Sequence, residues 1–171
     1  PICQTNDSKD IQDNSDLPLV IFLDFDGVLC TLRQSFAEGD LGLLGCLDPV
    51  AIKFLDRMCY KYNIKIVISS TWRIGKDYSH FHSLFKAAGA YKLANSLHQD
   101  FKTVSECGFR GNDIEKWLAK NEVLDYIILD DESDFYDYQK SKLVKTSMND
   151  GMLLDNYIDI IERLEKIYGH D

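Results

Sequence analysis

Three short apolar runs punctuate the chain, and each ends in a cluster of polar residues. Leu19-Val20-Ile21-Phe22-Leu23, Ile64-Lys65-Ile66-Val67-Ile68 and Tyr126-Ile127-Ile128-Leu129 lack the alternation of half-exposed strands, so they predict strands buried on both faces of a parallel sheet. Leu143-Val144-Lys145-Thr146 predicts a fourth strand, shorter and nearer an edge. Between the runs the apolar spacing becomes helical. Asp48-Pro49 has the form of an N-cap followed by proline at the first helical position, and Ile52, Leu55, Met58, Cys59 and Tyr62 stripe a helix that ends near Asn63. Tyr78 to Gly89 and Gly111 to Asn121 predict two more, the second with Ile114, Trp117 and Leu118 on one face. Tyr157, Ile160, Ile161, Leu164 and Ile167 stripe a closing helix. Strands alternating with helices predict an α/β fold with a parallel sheet.

A chain of 171 residues has room for one domain. Residues 1–16 are polar, with Asp7, Asp10, Asp13 and Asp16 against Lys9, and are expected to be a flexible leader to a folded domain spanning 17–171. No apolar run approaches the ~20 residues that cross a bilayer. The net charge of −9 opposes nucleic acid and acidic membranes unless positive groups are gathered locally. Five scattered cysteines with no C-x-x-C pair are the reduced thiols of a cytoplasmic protein. No Sec-type signal pattern opens the sequence, which leaves export by a non-Sec route into a host cell open.

In an open parallel sheet, ligands bind outside the carboxyl ends of the strands, where loops diverge and helix N-termini point outward. Here those ends carry Asp24 and Asp26, Ser69 and Ser70, and Asp130 and Asp131. Asp24 and Asp26 are two apart, so the strand period lets both face one side, and Gly27 lets the chain turn away at once. Four crowded carboxylates need a counter-charge, and an all-oxygen set favours a hard cation that keeps some water, Mg²⁺. With that repulsion offset, one carboxylate can attack a phosphate and form an aspartyl-phosphate while another protonates the leaving oxygen.

These residues resemble the haloacid dehalogenase (HAD) superfamily. Asp24-Phe25-Asp26-Gly27-Val28-Leu29 matches its first motif, DxDG[TV]L; Ile66-Val67-Ile68-Ser69 matches the second; and Leu129-Asp130-Asp131 resembles the acidic fourth. The third motif is normally a Lys, less often Arg, at the start of the helix before the fourth; Arg110 fits that place, with Lys102 as a weaker candidate. The resemblance spans roughly Leu19 to Met152 and implies a HAD-like Rossmannoid sheet flanked by helices. It further implies Asp24 as nucleophile, Asp26 as general acid then base, Ser69 as phosphate ligand and Arg110 as phosphate cation. Asp24, the backbone carbonyl of Asp26, and Asp130 or Asp131 would hold Mg²⁺. Gly27, Ser70, Arg73 and Lys102 are further candidates for substrate or phosphate contact.

Neither the interval from Asp24 to Ser69 nor that from Ser69 to Asp130 holds a full cap domain, so the site is expected to be open, with a minimal cap or none. An open site suits a phosphate on a macromolecule. SSTWR, RGNDIEKWL and ILDD together resemble both HAD domains of RNA-repair proteins and compact bacterial HAD phosphatases acting on phosphotyrosine. Phosphotyrosine on a protein, as for a bacterial effector, is the favoured substrate: the negative charge opposes a polynucleotide, and Trp72, Tyr78, Phe81 and Phe109 offer aromatic walls. A rim of Arg33, Arg73, Lys76 and Lys102 keeps a nucleic-acid end open. The same motifs are compatible with a small-metabolite phosphatase, with Gly39 to Gly45 as a minimal lid, and with an idle domain that binds phosphorylated partners. Arg73 is equally an ion-pair residue, Ser70 and Thr71 are equally helix caps, and Trp72 is equally core. Asp134 is a candidate to support the metal from behind its direct ligands. The four histidines carry no ligand spacing and are assigned no chemistry.

Overall fold

The structure, a computed structural model, describes residues 16–39, 47–105 and 108–169. Five strands form one sheet: β1 (Leu19–Leu23), β2 (Ile64–Ile68), β3 (Leu97–Lys102), β4 (Asp125–Asp130) and β5 (Leu143–Lys145). The order is β3-β2-β1-β4-β5, and every pairing is parallel. The helices that return the chain are α1 (Leu32–Ala37), α2 (Pro49–Lys61), α3 (Tyr78–Ala87), α4 (Tyr91–Asn95), α5 (Arg110–Leu118) and α6 (Leu154–Tyr168). After β1 the chain builds outward through β2 and β3, then crosses back to place β4 on the other side of β1. The reversal leaves a crevice between the carboxyl ends of β1 and β4, where such sheets bind ligands.

Strand periodicity distributes the core over both faces of the sheet. Leu19, Ile21 and Leu23 of β1 join Ile64, Ile66 and Ile68 of β2 and Ile127 and Leu129 of β4 beneath α2, α3, α4 and α6. Val20, Phe22, Val67 and Ile128 face the opposite way, against Ile114 and Trp117 of α5 and Phe135. All five residues of β1 are fully buried, as the unalternating run predicted. Asp48 caps α2, its side chain accepting from the N–H of Val50 at 2.8 Å and of Ala51 at 3.3 Å; caps of this kind stabilise a helix by ~1 kcal/mol.

The elements read from the sequence are present with bounds shifted by a few residues. Three others were not read. β3 presents only Leu97 and Phe101 to the core, and its pairing to β2 slips between Ile66↔Leu97 and Ile68↔Lys102, so neither alternation nor a continuous apolar run marks it. α1 and α4, of six and five residues, are too short for a helical stripe. The leader residues 1–15 and most of the proposed 39–45 lid lie outside the described residues. Among the described residues there is no cap domain, and no helix is long and apolar enough to cross a membrane.

Candidate active site

The register of the two central strands creates the site. Leu23 of β1 pairs with Leu129 of β4, so the next residues, Asp24 and Asp130, stand side by side at the carboxyl end of the sheet. The N–H of Asp24 still bonds the carbonyl of Leu129 at 3.0 Å, and Asp24 and Asp130 are 2 % and 0 % exposed. Each carboxylate is held by a backbone donor: Asp24 Oδ1 accepts the Phe25 N–H and Asp130 Oδ1 the Glu132 N–H, both at 2.8 Å. Asp131 completes the group; one oxygen each from Asp24, Asp130 and Asp131 lie within 4.8 Å of one another. Gly27 makes this approach possible. Its φ of +72° suits glycine, and a Cβ there would run into the Asp131 carboxyl group. Its own N–H is engaged with the Cys30 carbonyl at 2.8 Å, so Gly27 shapes the turn and offers that donor to no phosphate.

Arg110 opens α5, although a cation in the first helical turn is disfavoured by the helix dipole. Acidic neighbours offset this. A single guanidinium nitrogen, Nη1, reaches Asp24 Oδ2 at 2.6 Å and Asp130 Oδ2 at 2.5 Å, and Nε lies 3.8 Å from Asp134. Burial works against the Arg110 charge, but the carboxylates of Asp130 and Asp24 outweigh it and raise its pKa. Burial, and then the neighbouring Asp24 carboxylate, pushes Asp130 up to about 7 against the pull of Arg110. Burial and the same neighbour raise Asp131. One arginine leaves this carboxylate group short of positive charge.

Asp26 stands apart from the three clustered carboxylates. Its two oxygens share the indole N–H of Trp72, at 3.1 Å each, and the Trp72 ring stacks on Phe25 with centroids 5.0 Å apart. Burial and the Asp24 carboxylate raise the Asp26 pKa while the indole hydrogen bond works the other way, the balance of a carboxyl group that holds a proton longer than usual.

A family model for the HAD domain in Swiss Army Knife RNA repair proteins matches residues 20–156. The chain belongs to this HAD family. No curated protein and no solved structure gave a match. Membership supports a phosphatase-type hydrolase, and HAD domains typically use a divalent metal. The clustered carboxylates of this HAD domain fit such an ion: the donor set is all oxygen, it is under-neutralised, and Gly27 leaves Asp131 room to join it. The Asp26 side chain is not part of that group.

Among the sequence candidates, Ser69 is buried just after β2, and its hydroxyl has no hydrogen-bond partner among the described residues. Three others take scaffold positions. Ser70 is fully buried and its Oγ accepts the Trp72 N–H at 3.3 Å, so it caps the short turn Thr71–Arg73. Arg73, read as a substrate contact or a surface ion pair, is 6 % exposed, with its guanidinium turned inward onto backbone carbonyls and Asp113. Lys102 donates to the Lys76 carbonyl at 2.8 Å, whereas Arg110, the other third-motif candidate, reaches Asp24 and Asp130. Asp134, read as support for the metal, accepts the Arg110 N–H at 3.4 Å and holds that residue.

Of the proposed aromatic walls, Phe81 is core and Tyr78 packs on His82 and Phe101; Trp72 and Phe109 remain half-buried. Of the basic rim, Arg33 pairs with Asp48 at 2.8 Å and Arg73 is internal. The sequence reading missed Asp113 and Thr103, whose roles depend on contacts from distant segments. It also left Trp72 as wall or core, because nothing in SSTWR announces an indole aimed at Asp26.

Proposed function

We propose that this HAD domain is a Mg²⁺-dependent phosphomonoesterase working through an aspartyl-phosphate on Asp24. The observation that carries the reading is the division of the carboxylates: Asp24 and Asp130 share one arginine nitrogen, whereas Asp26 is held separately by Trp72 with a raised pKa. Asp24 supplies the oxygen that bonds to phosphorus as the ester P–O bond breaks, and Asp26 gives its proton to the departing oxygen. Asp26, now a carboxylate, takes a proton from water as that water attacks phosphorus, which frees inorganic phosphate and restores Asp24. Arg110 and the Ser69 hydroxyl hold the transferring phosphoryl oxygens. Mg²⁺, held by Asp24 and by Asp130 or Asp131, would offset the negative charge that otherwise keeps a carboxylate from a phosphate.

Phosphotyrosine on a protein is the favoured substrate. The leaving group must sit beside the acid, and in this chain the acid is bonded to an indole, so an aromatic leaving group would meet an aromatic neighbour. The net charge of −9 also opposes a polynucleotide. The second reading, a polynucleotide terminal phosphate, is favoured by the RNA-repair description of the matching family. Phosphate release from phosphotyrosine peptides, phosphoserine peptides and oligonucleotides with 3′- or 5′-phosphate, with Mg²⁺ or EDTA and with an Asp24→Asn control, decides between them. Turnover of phosphotyrosine that is lost in EDTA and in the control is expected. Preference for an oligonucleotide end would move the substrate to nucleic acid, and full activity in Asp24→Asn would end the aspartyl-phosphate reading.

A further inference from the structure

Arg73 is a buried cation that the proposed chemistry does not use. It closes the turn Thr71–Arg73, and its fork faces three segments at once. Nη1 donates to the carbonyls of Ser69 at 2.7 Å and Ser70 at 2.6 Å, Nε to the carbonyl of Thr103 at 2.8 Å, and Nη2 to Asp113 Oδ2 at 3.4 Å. Ser69 and Ser70 follow β2, Thr103 follows β3, and Asp113 sits one turn into α5, the helix that Arg110 opens. Arg73 and Asp113 are 6 % and 3 % exposed, so this ion pair is shielded from solvent and its geometry is enforced by packing.

The residues bonded by this fork carry three buried polar atoms without hydrogen-bond partners among the described residues, Ser69 Oγ, Thr103 Oγ1 and Asp113 Oδ1. Ser69 Oγ is the one to which the proposed chemistry gives a phosphoryl oxygen. Its neighbour Ser70 is closed off, with its side chain capping the turn and its carbonyl on Arg73. A planar trans peptide points its N–H opposite its C=O, so by drawing in the carbonyls of Ser69 and Ser70 the guanidinium turns the N–H groups of Ser70 and Thr71 away from itself. Lysine could not reproduce this arrangement, because one ammonium on a flexible stem lacks the planar fork that spans separated acceptors.

We propose that Arg73 is a positioning residue that fixes the Ser69–Ser70 loop against α5, so that the Ser69 hydroxyl and the Arg110 guanidinium engage one phosphoryl group in a common geometry. The role rests on the phosphatase reading but touches no substrate. Arg73 acts through Ser69, and the two residues are therefore coupled.

The test is a double-mutant cycle with Arg73→Lys and Ser69→Ala, read as kcat and KM on a phosphotyrosine peptide with Mg²⁺. Arg73→Lys is expected to lower kcat by about tenfold or more, as the loss of a well-placed donor does, while KM moves by less than about threefold. The double variant is expected to be no more than about twofold slower than the slower single variant. Losses that multiply would overturn the proposal, as would a defect confined to KM, which marks a direct substrate contact. Asp113→Asn leaves the three carbonyl bonds of Arg73 in place; should Arg73→Lys fail to fold, this variant enters the same cycle with a smaller loss in kcat, and multiplying losses overturn the proposal equally. Titration of inorganic phosphate into Asp24→Asn protein carrying the same changes separates the two readings. Absent turnover with coupled losses of phosphate affinity ends the hydrolase reading alone, whereas independent losses of affinity end the role of Arg73.

Discussion

Replacing Trp72 by phenylalanine removes one N–H and keeps a ring against Phe25, so it isolates the bond to the proposed acid, Asp26. In the native protein that N–H is shared between both oxygens of Asp26 at 3.1 Å, and the stacked ring, 25° from the plane of Phe25, fixes its direction. A hydrogen bond to a charged group contributes ~1.5–3 kcal/mol, and sharing one proton between two acceptors places this one at the lower end. At ~1.4 kcal/mol per factor of ten, the expected loss is about tenfold in kcat/KM. The loss must depend on the leaving group. Phenyl phosphate and alkyl phosphates need a proton delivered to the departing oxygen, whereas nitrophenyl phosphate releases a stable anion and is expected to lose less than about threefold. Steady-state phosphate release over such a series, with thermal unfolding to verify the fold, measures the difference. Equal losses on every substrate, or no loss on the alkyl phosphates, would refute the assignment of Trp72 to acid orientation.

The single-nitrogen bridge predicts that Arg110→Lys keeps turnover within about tenfold, because a point charge can occupy the place of Nη1, while Arg110→Met loses ~10²–10³-fold, as when a transition-state donor is deleted; equal losses in both would refute the bridge. Asp130, pushed up to about 7 from an ordinary 3.8, binds its proton more tightly folded than unfolded, so its contribution to stability is complete below the ordinary carboxyl range and is lost as pH rises through about 7. In EDTA the stability that Asp130 contributes is therefore expected to fall between about pH 4 and 7 and to level off above that, and Mg²⁺ to raise the melting temperature at the upper end, where the ligands are ionised. A melt at about pH 8 that ignores Mg²⁺ would refute the metal site.

The central strands and the acidic pair at each end of the crevice were legible in the sequence because a doubly covered parallel strand must be continuously apolar, and a carboxylate directly after such a run stands at the rim of the sheet. Arg110 was legible only through the resemblance, as a cation in the third-motif place before the helix that leads to the acidic fourth motif, with Lys102 as the weaker candidate. β3 was not, since an edge strand with two core residues and a slipped register carries no period. Side-chain direction was beyond reach as well. Ser69 and Ser70 are adjacent hydroxyls in one polar run, and only folding leaves the first without a partner and turns the second into a cap. Arg73 reads as an exposed cation near a phosphate site; it became internal because Thr103 and Asp113, thirty and forty residues away, arrive on either side of it. Local hydrophobic pattern thus determined the layers of this protein and which residues end the strands. The meeting of segments distant in the chain decided which of those polar groups are bonded to one another and which are left without a partner among the described residues, because a hydrogen bond is settled by whatever acceptor packing brings within reach.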